Sequence, residues 1–123
     1  MPVITFLVED SATIRTHLIP AIEDLGRAEV IAVAETEMEA KEWLKSYTGE
    51  LQLVITDLLL REGSGFGVLK HFRQERPNVR VVVLSNYATP LMRERAGSMG
   101  ATAVFDKSTE LEEFLAFCAA LSS

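Results

Sequence analysis

Short apolar runs alternate along the chain with longer segments in which apolar residues recur every three or four positions. This alternation predicts strands that are each followed by a helix. The five predicted strands are Val3–Val8, Glu29–Ala34, Leu53–Thr56, Arg80–Leu84 and Ala103–Phe105. Because the strands are almost continuously apolar, they suit a parallel sheet that helices cover on both faces. The pattern therefore predicts one doubly wound α/β domain over residues 1–123, with a five-stranded parallel sheet and five helices.

Residues that can cap a helix mark most of the predicted helix starts. The predicted caps are Ser11, Thr36, Ser64, Thr89 and Thr109, with Glu39 and Glu112 completing capping boxes at the second and last helices. Pro90 suits the first position of the fourth helix, and Gly100 suits its C-terminal cap. Pro20 falls inside the first helix, where it crowds the carbonyl of Thr16. We therefore expect a kink between Thr16 and Pro20.

Composition and charge narrow the class of protein. The chain has 123 residues, of which 48% are hydrophobic and 24% charged, as in an ordinary globular domain. Its net charge of −6 disfavours direct binding to nucleic acid. The single cysteine, Cys118, excludes an internal disulfide and is interpreted as a small apolar residue of the last helix. No signal peptide or membrane-spanning stretch is recognisable, so we expect no membrane association and a cytoplasmic location.

Asp57 is an acid among aliphatic residues. It lies between Leu51–Thr56 and Leu58–Leu60. A charged carboxylate is costly to bury, so we expect Asp57 at the end of a core strand, where the chain reaches the surface. Glu9 and Asp10 follow the first strand in the same way. If the two strands are neighbours, three carboxylates meet at the edge of the sheet where such domains bind ligands, and this cluster suits a divalent cation.

Three further residues extend this pattern. Gly65 lies in the loop beyond Asp57, Ser85 follows the fourth strand and Lys107 follows the fifth. The ordered set resembles the receiver domains of response regulators, the phosphoacceptor half of two-component signalling. The resemblance covers residues 2–121. It implies a flavodoxin-like fold in which the parallel strands take the order 2-1-3-4-5.

The resemblance also implies a metal site. Asp57 would be the phosphoacceptor, since a carboxylate can attack phosphorus to give an aspartyl phosphate. Mg²⁺, or Mn²⁺ in its place, would be bound directly by Asp10, Asp57 and the backbone carbonyl of Leu59. Glu9 would act on the metal through a water molecule. An all-oxygen site with several retained waters is typical of Mg²⁺.

Two other residues have roles implied by the family. Lys107 would pair with Asp57 in the resting state and with a phosphoryl oxygen afterwards. Ser85 would donate its hydroxyl to another phosphoryl oxygen and draw its loop toward the site. That movement would convert a local change of charge into a different surface.

Ordinary structural roles are the alternative for each of these residues taken alone. They are a helix start for Glu9 and Asp10, a turn for Asp57, a loop for Ser85 and a solvated ion pair with Asp106 for Lys107. The segment Gly63–Gly67 hints at a phosphate-binding loop, but it lacks the lysine and the spacing of a P-loop. A role in a turn is therefore favoured for these glycines.

The usual aromatic switch of the family is missing. The position three residues before Lys107, commonly an aromatic residue that swings inward on activation, is Val104. Phe105 is adjacent, but strand alternation predicts that it faces the opposite side of the sheet. Our hypothesis is that Tyr87 takes over part of the signalling.

Two loop positions also depart from the family pattern. Asn86 follows Ser85 where the family prefers a small residue, so we expect narrower access to Asp57 and an altered phosphoryl lifetime or donor preference. Ser108 replaces the proline that usually follows the lysine. A cis bond before a non-proline residue costs about 3 kcal/mol, so we expect a trans bond between Lys107 and Ser108.

The leading functional prediction is a stand-alone response regulator that is not an enzyme. It would accept a phosphoryl group on Asp57 from a sensor histidine kinase or a histidine phosphotransfer protein and then act through protein contacts. The face formed by the fourth helix, last strand and last helix would be its output and homodimer surface. The alternative is a receiver-like interaction module that does not use phosphorylation. A phosphohydrolase is less favoured, because such enzymes commonly have a second aspartate where this chain has Leu59.

Overall fold

Strands and helices alternate without exception along the computed structural model, which describes residues 1–122. The elements are β1 (Val3–Val8), α1 (Ala12–Asp24), β2 (Ala28–Ala34), α2 (Glu37–Ser46), β3 (Leu53–Thr56), α3 (Gly65–Glu75), β4 (Arg80–Ser85), α4 (Pro90–Ser98), β5 (Ala103–Asp106) and α5 (Leu111–Leu121). All strand pairs are parallel and the order is β2-β1-β3-β4-β5. The predicted fold class and strand order are confirmed, and three strands are one residue longer than predicted.

The sheet separates two apolar layers, because successive side chains of a strand point to opposite faces. Helices α2, α3 and α4 cover one face, where Phe6 of β1 packs with Phe72 of α3. Helices α1 and α5 cover the other, where Leu7 packs with Phe114 and Cys118 of α5. Cys118 is fully buried, which confirms its interpretation as a small apolar residue of the last helix, and burial raises the pKa of its thiol to about 12. No helix within residues 1–122 is long and apolar enough to cross a membrane.

Four of the five predicted helix caps are present. The side chains of Ser11, Thr36, Ser64 and Thr89 each accept a hydrogen bond from the backbone N–H three residues later. The Glu39 carboxylate accepts from the N–H of Glu35 at 2.7 Å, one residue before the cap that the capping-box prediction assigned to it. Pro20 lies inside an uninterrupted α1, and the expected kink stays a prediction.

The predicted cap at Thr109 is wrong. Helix α5 begins at Leu111, and Glu110 occupies the N-cap position without a capping side-chain bond. The reason is a competing acceptor, since the Asp106 carboxylate binds the N–H groups of Ser108 and Thr109 at 2.7 and 3.1 Å. These bonds stabilise a turn before the helix and delay its start.

Gly65 occupies a position beside the phosphoacceptor candidate where no side chain fits. A Cβ there would lie 2.0 Å from the carbonyl oxygen of Asp57 and 2.9 Å from the Cα of Leu58. We expect Gly65→Ala to lower the free energy of unfolding by about 1 to 3 kcal/mol, as overpacking does. Gly97→Ala is the matched control, because a Cβ there meets nothing within 4 Å. It should gain about 0.5 to 1 kcal/mol from helix propensity. Denaturant unfolding of both variants checks the pair, and equal stabilities would contradict the prediction.

Candidate functional site

The carboxyl ends of four parallel strands bring the candidate residues to one edge of the sheet. The N–H of Asp57 donates to the carbonyl of Val8 at 3.2 Å, which fixes the end of β3 beside the end of β1. The N–H of Lys107 donates to the carbonyl of Ser85 at 3.1 Å, which fixes the end of β5 beside that of β4. Backbone hydrogen bonds between the strand ends thus set the positions of these residues independently of their side chains.

Lys107 joins two carboxylates at this edge. Its Nζ donates to Glu9 Oε1 at 2.6 Å and to Asp57 Oδ2 at 2.7 Å. The side chains of Lys107, Glu9 and Asp57 are 10%, 2% and 11% exposed. Burial disfavours the ammonium form, but the hydrogen bonds to Asp57 and Glu9 outweigh it and raise the pKa of Lys107. The sequence predicted the pairing with Asp57 and missed the sharing with Glu9.

The other carboxylate oxygens of this ion pair are bound by backbone N–H groups. Glu9 Oε2 accepts from the N–H of Ser11 at 3.0 Å. Asp57 Oδ1 accepts from the N–H of Leu58 at 2.7 Å and from that of Leu59 at 3.3 Å. Buried polar atoms are costly unless they find partners, so these bonds offset the cost of burying the two acids. They also fix Asp57 with Oδ2 toward Lys107.

Asp10 does not join this cluster. Its side chain is half-buried and makes no hydrogen bond or ion pair with residues 1–122. Within those residues, no three acidic, histidine or cysteine side chains are arranged to hold a metal ion. Lys107 joins Glu9 and Asp57, Asp10 is separate from this ion pair, and the metal site stays a prediction. The donor chemistry still fits Mg²⁺, since the unpaired Asp10 carboxylate, Asp57 and the carbonyl of Leu59 supply only oxygen.

The end of β4 and the loop after it hold the three other candidates in different environments. Ser85 is fully buried, and its Oγ accepts a hydrogen bond from the N–H of Tyr87 at 3.1 Å. The Tyr87 side chain is 54% exposed. Asn86 Oδ1 accepts from the hydroxyl of Ser108 at 2.8 Å, so two departures from the family pattern contact each other. Every peptide bond within residues 1–122 is trans, which confirms the trans bond before Ser108.

Val104 and Phe105 point to opposite faces of the sheet, as predicted. Val104 packs with the layer under α2, α3 and α4. Phe105 packs with the layer under α1 and α5, where its ring centroid lies 5.8 Å from that of Phe114. The structure also shows a residue that sequence reasoning missed. Arg93 of α4 donates to the carbonyl of Val104 at 3.0 Å. One arginine on an exposed helix carries no signal that could have revealed this contact.

The glycine-rich segment after Asp57 holds a carboxylate of the protein itself. Glu37 Oε1 accepts from the N–H of Ser64 at 3.0 Å, at the start of α3. A Cβ on Gly67 would lie 2.2 Å from the Glu37 carboxylate carbon, so a larger residue there would displace the Glu37 carboxylate. Hydrogen bonds from Lys41 and the Ser64 backbone lower the pKa of Glu37. The structure favours the turn interpretation, because Gly63 has a φ of +76°, in the left-handed region that favours glycine.

Comparison with known proteins decides the family. Residues 5–119 match the family model of the response regulator receiver domain. The chain belongs to this family. Receiver domains of two-component systems accept phosphoryl groups, bind Mg²⁺ for that reaction and interact with histidine kinases and phosphotransfer proteins. They are signalling modules rather than classical enzymes.

Curated relatives of this receiver domain are longer proteins. It is 33% identical over 116 residues to the DNA-binding transcriptional regulator NtrC of Bradyrhizobium sp. (strain RP501 Parasponia), covering 94% of this chain and 23% of that protein. It is 31% identical over 107 residues to the photosynthetic apparatus regulatory protein RegA of Rhodobacter capsulatus, covering 87% and 56%. The chain therefore spans about a quarter of the NtrC relative and just over half of RegA.

Solved structures show the same fold. A two-component response regulator of the LuxR family from Aurantimonas sp. SI85-9A1 has a TM-score of 0.87 at 23% identity, covering 98% of this chain and 85% of that chain. A chain of the CheX-CheY-BeF3-Mg+2 complex from Borrelia burgdorferi has a TM-score of 0.87 at 18% identity, covering 100% and 91%. At these identities the likeness establishes the receiver fold alone.

Proposed function

We propose that residues 1–123 form a self-sufficient response-regulator receiver that is phosphorylated on Asp57. The donor is a phosphohistidine of a sensor histidine kinase or a histidine phosphotransfer protein. The reaction depends on Mg²⁺, and the output is protein contact rather than catalysis or direct DNA binding. The observation that carries the proposal is the Asp57 carboxylate, held at the end of β3 with Oδ2 2.7 Å from the Lys107 ammonium.

Transfer to Asp57 is a displacement at phosphorus. A carboxylate oxygen of Asp57 forms the new O–P bond while the P–N bond of the phosphohistidine breaks, and the imidazole leaves with that electron pair. Lys107 stabilises the negative charge that develops on the transferring group, because its ammonium is already oriented at this carboxylate. The proposed acceptor therefore needs no large rearrangement before attack.

Charge at the edge explains the proposed need for a divalent cation. Glu9, Asp10 and Asp57 supply three carboxylates against the single ammonium of Lys107, so the edge repels an anionic phosphodonor. Mg²⁺, or Mn²⁺, would supply positive charge that offsets this repulsion. Asp10, Asp57 and the carbonyl of Leu59 would hold the ion directly, and Glu9 through water. The similar chain from Borrelia burgdorferi occurs in a complex with Mg²⁺ and BeF3, which supports a divalent cation as the cofactor.

Ser85 is proposed to sense the phosphoryl group. Its Oγ accepts from Tyr87, and its own hydroxyl proton is donated to no residue within 1–122. The proton is therefore free for a phosphoryl oxygen on Asp57. Reaching that oxygen would move Tyr87, an exposed residue four positions before the exposed Leu91 of α4. We propose that this region of the α4–β5–α5 face contacts the output partner or a second copy.

Tyr87→Ala should remove the phosphorylation-dependent association that sedimentation experiments measure and leave phosphoryl uptake by Asp57 intact. An unchanged association would refute the role of Tyr87.

Phosphoryl uptake from a small phosphodonor tests the proposed function. With Mg²⁺ present, intact-mass analysis should show the gain of one phosphoryl group, and a chelator should prevent it. A phosphohistidine protein should then transfer its phosphoryl group to the chain under the same conditions. No gain from any donor, with Mg²⁺ or Mn²⁺, would favour the second candidate, a receiver-like interaction module that does not use phosphorylation. The observation that favours this second candidate is Val104, which occupies the position where the family usually has an aromatic residue.

The hydrogen bond between Asn86 and Ser108 is expected to slow access to Asp57. It joins the loop after β4 to the loop after β5 at 2.8 Å. One such bond contributes about 1 kcal/mol, so Asn86→Ala should change the rate of uptake from a small phosphodonor about fivefold, toward faster uptake. Ser108→Ala should have the same effect, and the double variant no more. Rates that match the parent in both single variants would count against the prediction.

A further inference from the structure

Arg93 connects three parts of the chain through one guanidinium group. Its Nε donates to the carbonyl oxygen of Ala88 at 2.8 Å, and its Nη1 donates to that of Val104 at 3.0 Å. Its Nη2 forms a hydrogen-bonded ion pair with Glu110. The three contacts use the planar fork of donors that arginine has and lysine lacks. Arg93 therefore ties α4 to the loop after β4, to β5 and to the residue before α5.

Glu110 extends this connection to the residue before Lys107. Its Oε1 accepts from the N–H of Asp106 at 2.9 Å, and its own N–H donates to the carbonyl of Asp106 at 2.9 Å. The ion pair with Arg93 lowers the pKa of Glu110, so the carboxylate stays charged at neutral pH. Arg93 and Glu110 thus form a continuous bridge between the loop that follows Ser85 and the loop that carries Lys107.

We propose that Arg93 and Glu110 are positioning residues that hold these two loops together and convey phosphorylation of Asp57 to α4. The inference rests on the proposed function. Movement of the Ser85 hydroxyl toward a phosphoryl oxygen displaces the following residues, and the carbonyl of Ala88 lies three residues along the chain. Because Arg93 Nε binds that carbonyl, the displacement changes the contacts of the first turn of α4. Arg93 also binds the backbone carbonyl of Val104, so the bridge contacts β5 at the position where the family usually has an aromatic residue.

A purely structural role for the pair predicts a different outcome. The Arg93 and Glu110 side chains are 35% and 32% exposed, and ion pairs near the surface contribute about 0 to 1 kcal/mol to stability. Variants of the pair should therefore fold, and a change in stability alone cannot report on the proposal. The decisive readout is how far the effect of phosphorylation spreads from Asp57.

Amide resonances measured by NMR before and after phosphorylation test the proposal. In the parent protein, a small phosphodonor with Mg²⁺ should shift resonances around Asp57 and throughout α4. In Arg93→Met, the shifts around Asp57 should persist and those in α4 should be lost. Arg95→Met is the matched control on the same helix, since that guanidinium lies over the ring of Phe66 at 4.1 Å. It should keep the α4 shifts. Adding Glu110→Gln to Arg93→Met should cause no further loss.

Different outcomes would contradict the role of Arg93 and Glu110 and the proposed phosphorylation of Asp57. A parent protein that takes up no phosphoryl group contradicts the proposed function. A parent that is phosphorylated, with α4 shifts that survive in Arg93→Met or vanish equally in Arg95→Met, overturns the inference. The resting protein supplies a second readout, because the Asp106 N–H donates to Glu110. Its hydrogen exchange should accelerate severalfold in Arg93→Met and not in Arg95→Met, and equal exchange in the two would refute the positioning role.

Discussion

Replacing Asp57 with asparagine is expected to abolish phosphoryl uptake while the protein stays folded. The amide has the shape of the carboxylate, and its oxygen can still accept the N–H groups of Leu58 and Leu59, which lie 2.7 and 3.3 Å from Oδ1. Lys107 also keeps Glu9 as a partner at 2.6 Å. An amide, however, lacks the anionic oxygen that attacks phosphorus. The expected loss is therefore chemical rather than structural.

Intact-mass analysis after incubation with a small phosphodonor and Mg²⁺ measures this loss. The parent should gain one phosphoryl group and Asp57→Asn none. Asp24→Asn is a suitable control, because Asp24 is an exposed acid at the end of α1, and this variant should behave as the parent. Thermal unfolding shows whether Asp57→Asn is folded. Uptake by Asp57→Asn at the level of the parent would place the phosphoacceptor elsewhere in the chain.

The fold was predictable from the sequence because periodicity reports directly on burial. The strands β3 and β4 are buried on both faces, and their continuous apolar runs are the pattern that the structure explains. The error at Thr109 has a local cause. A capping side chain competes with other acceptors nearby, and here the Asp106 carboxylate accepts from the N–H groups of Ser108 and Thr109. Which acceptor wins depends on the turn geometry, which a three-residue spacing does not contain.

The candidate site was predictable only up to the positions of its residues. Strand ends place Glu9, Asp57 and Lys107 at one edge, because the ends of parallel strands lie together. Which side chains then interact is a question of geometry between elements. Lys107 binds Glu9 across 98 positions of sequence. Arg93 binds Glu110 across 17. Neither pairing follows from periodicity, so the sequence predicted that Lys107 binds Asp57 but not that it also binds Glu9, nor that Arg93 binds Glu110.

Lys107→Met is expected to destabilise the protein by about 3 kcal/mol, the low end of the cost of breaking a buried ion pair. The substitution leaves the Glu9 carboxylate, 2% exposed, without a cation. Lys41→Met is the matched control, since Lys41 pairs with Glu37 on the surface with its own side chain 46% exposed. Its cost should stay below about 1 kcal/mol. Denaturant unfolding measures both, and equal costs would contradict a buried role for Lys107.

The pH dependence of the stability lost in Lys107→Met shows whether that loss is electrostatic. The pKa of Lys107 is raised above 10.5 in the folded protein, because the hydrogen bonds to Asp57 and Glu9 outweigh the cost of burial. The stability that Lys107 contributes is therefore fully present below pH 10.5 and declines as the pH rises through the folded-state pKa. The difference in unfolding free energy between the parent and Lys107→Met should narrow over that range, and a difference independent of pH would assign the lost stability to packing.

Mg²⁺ should stabilise Lys107→Met more than the parent, because a divalent cation supplies the positive charge that the carboxylates of Glu9 and Asp57 then lack.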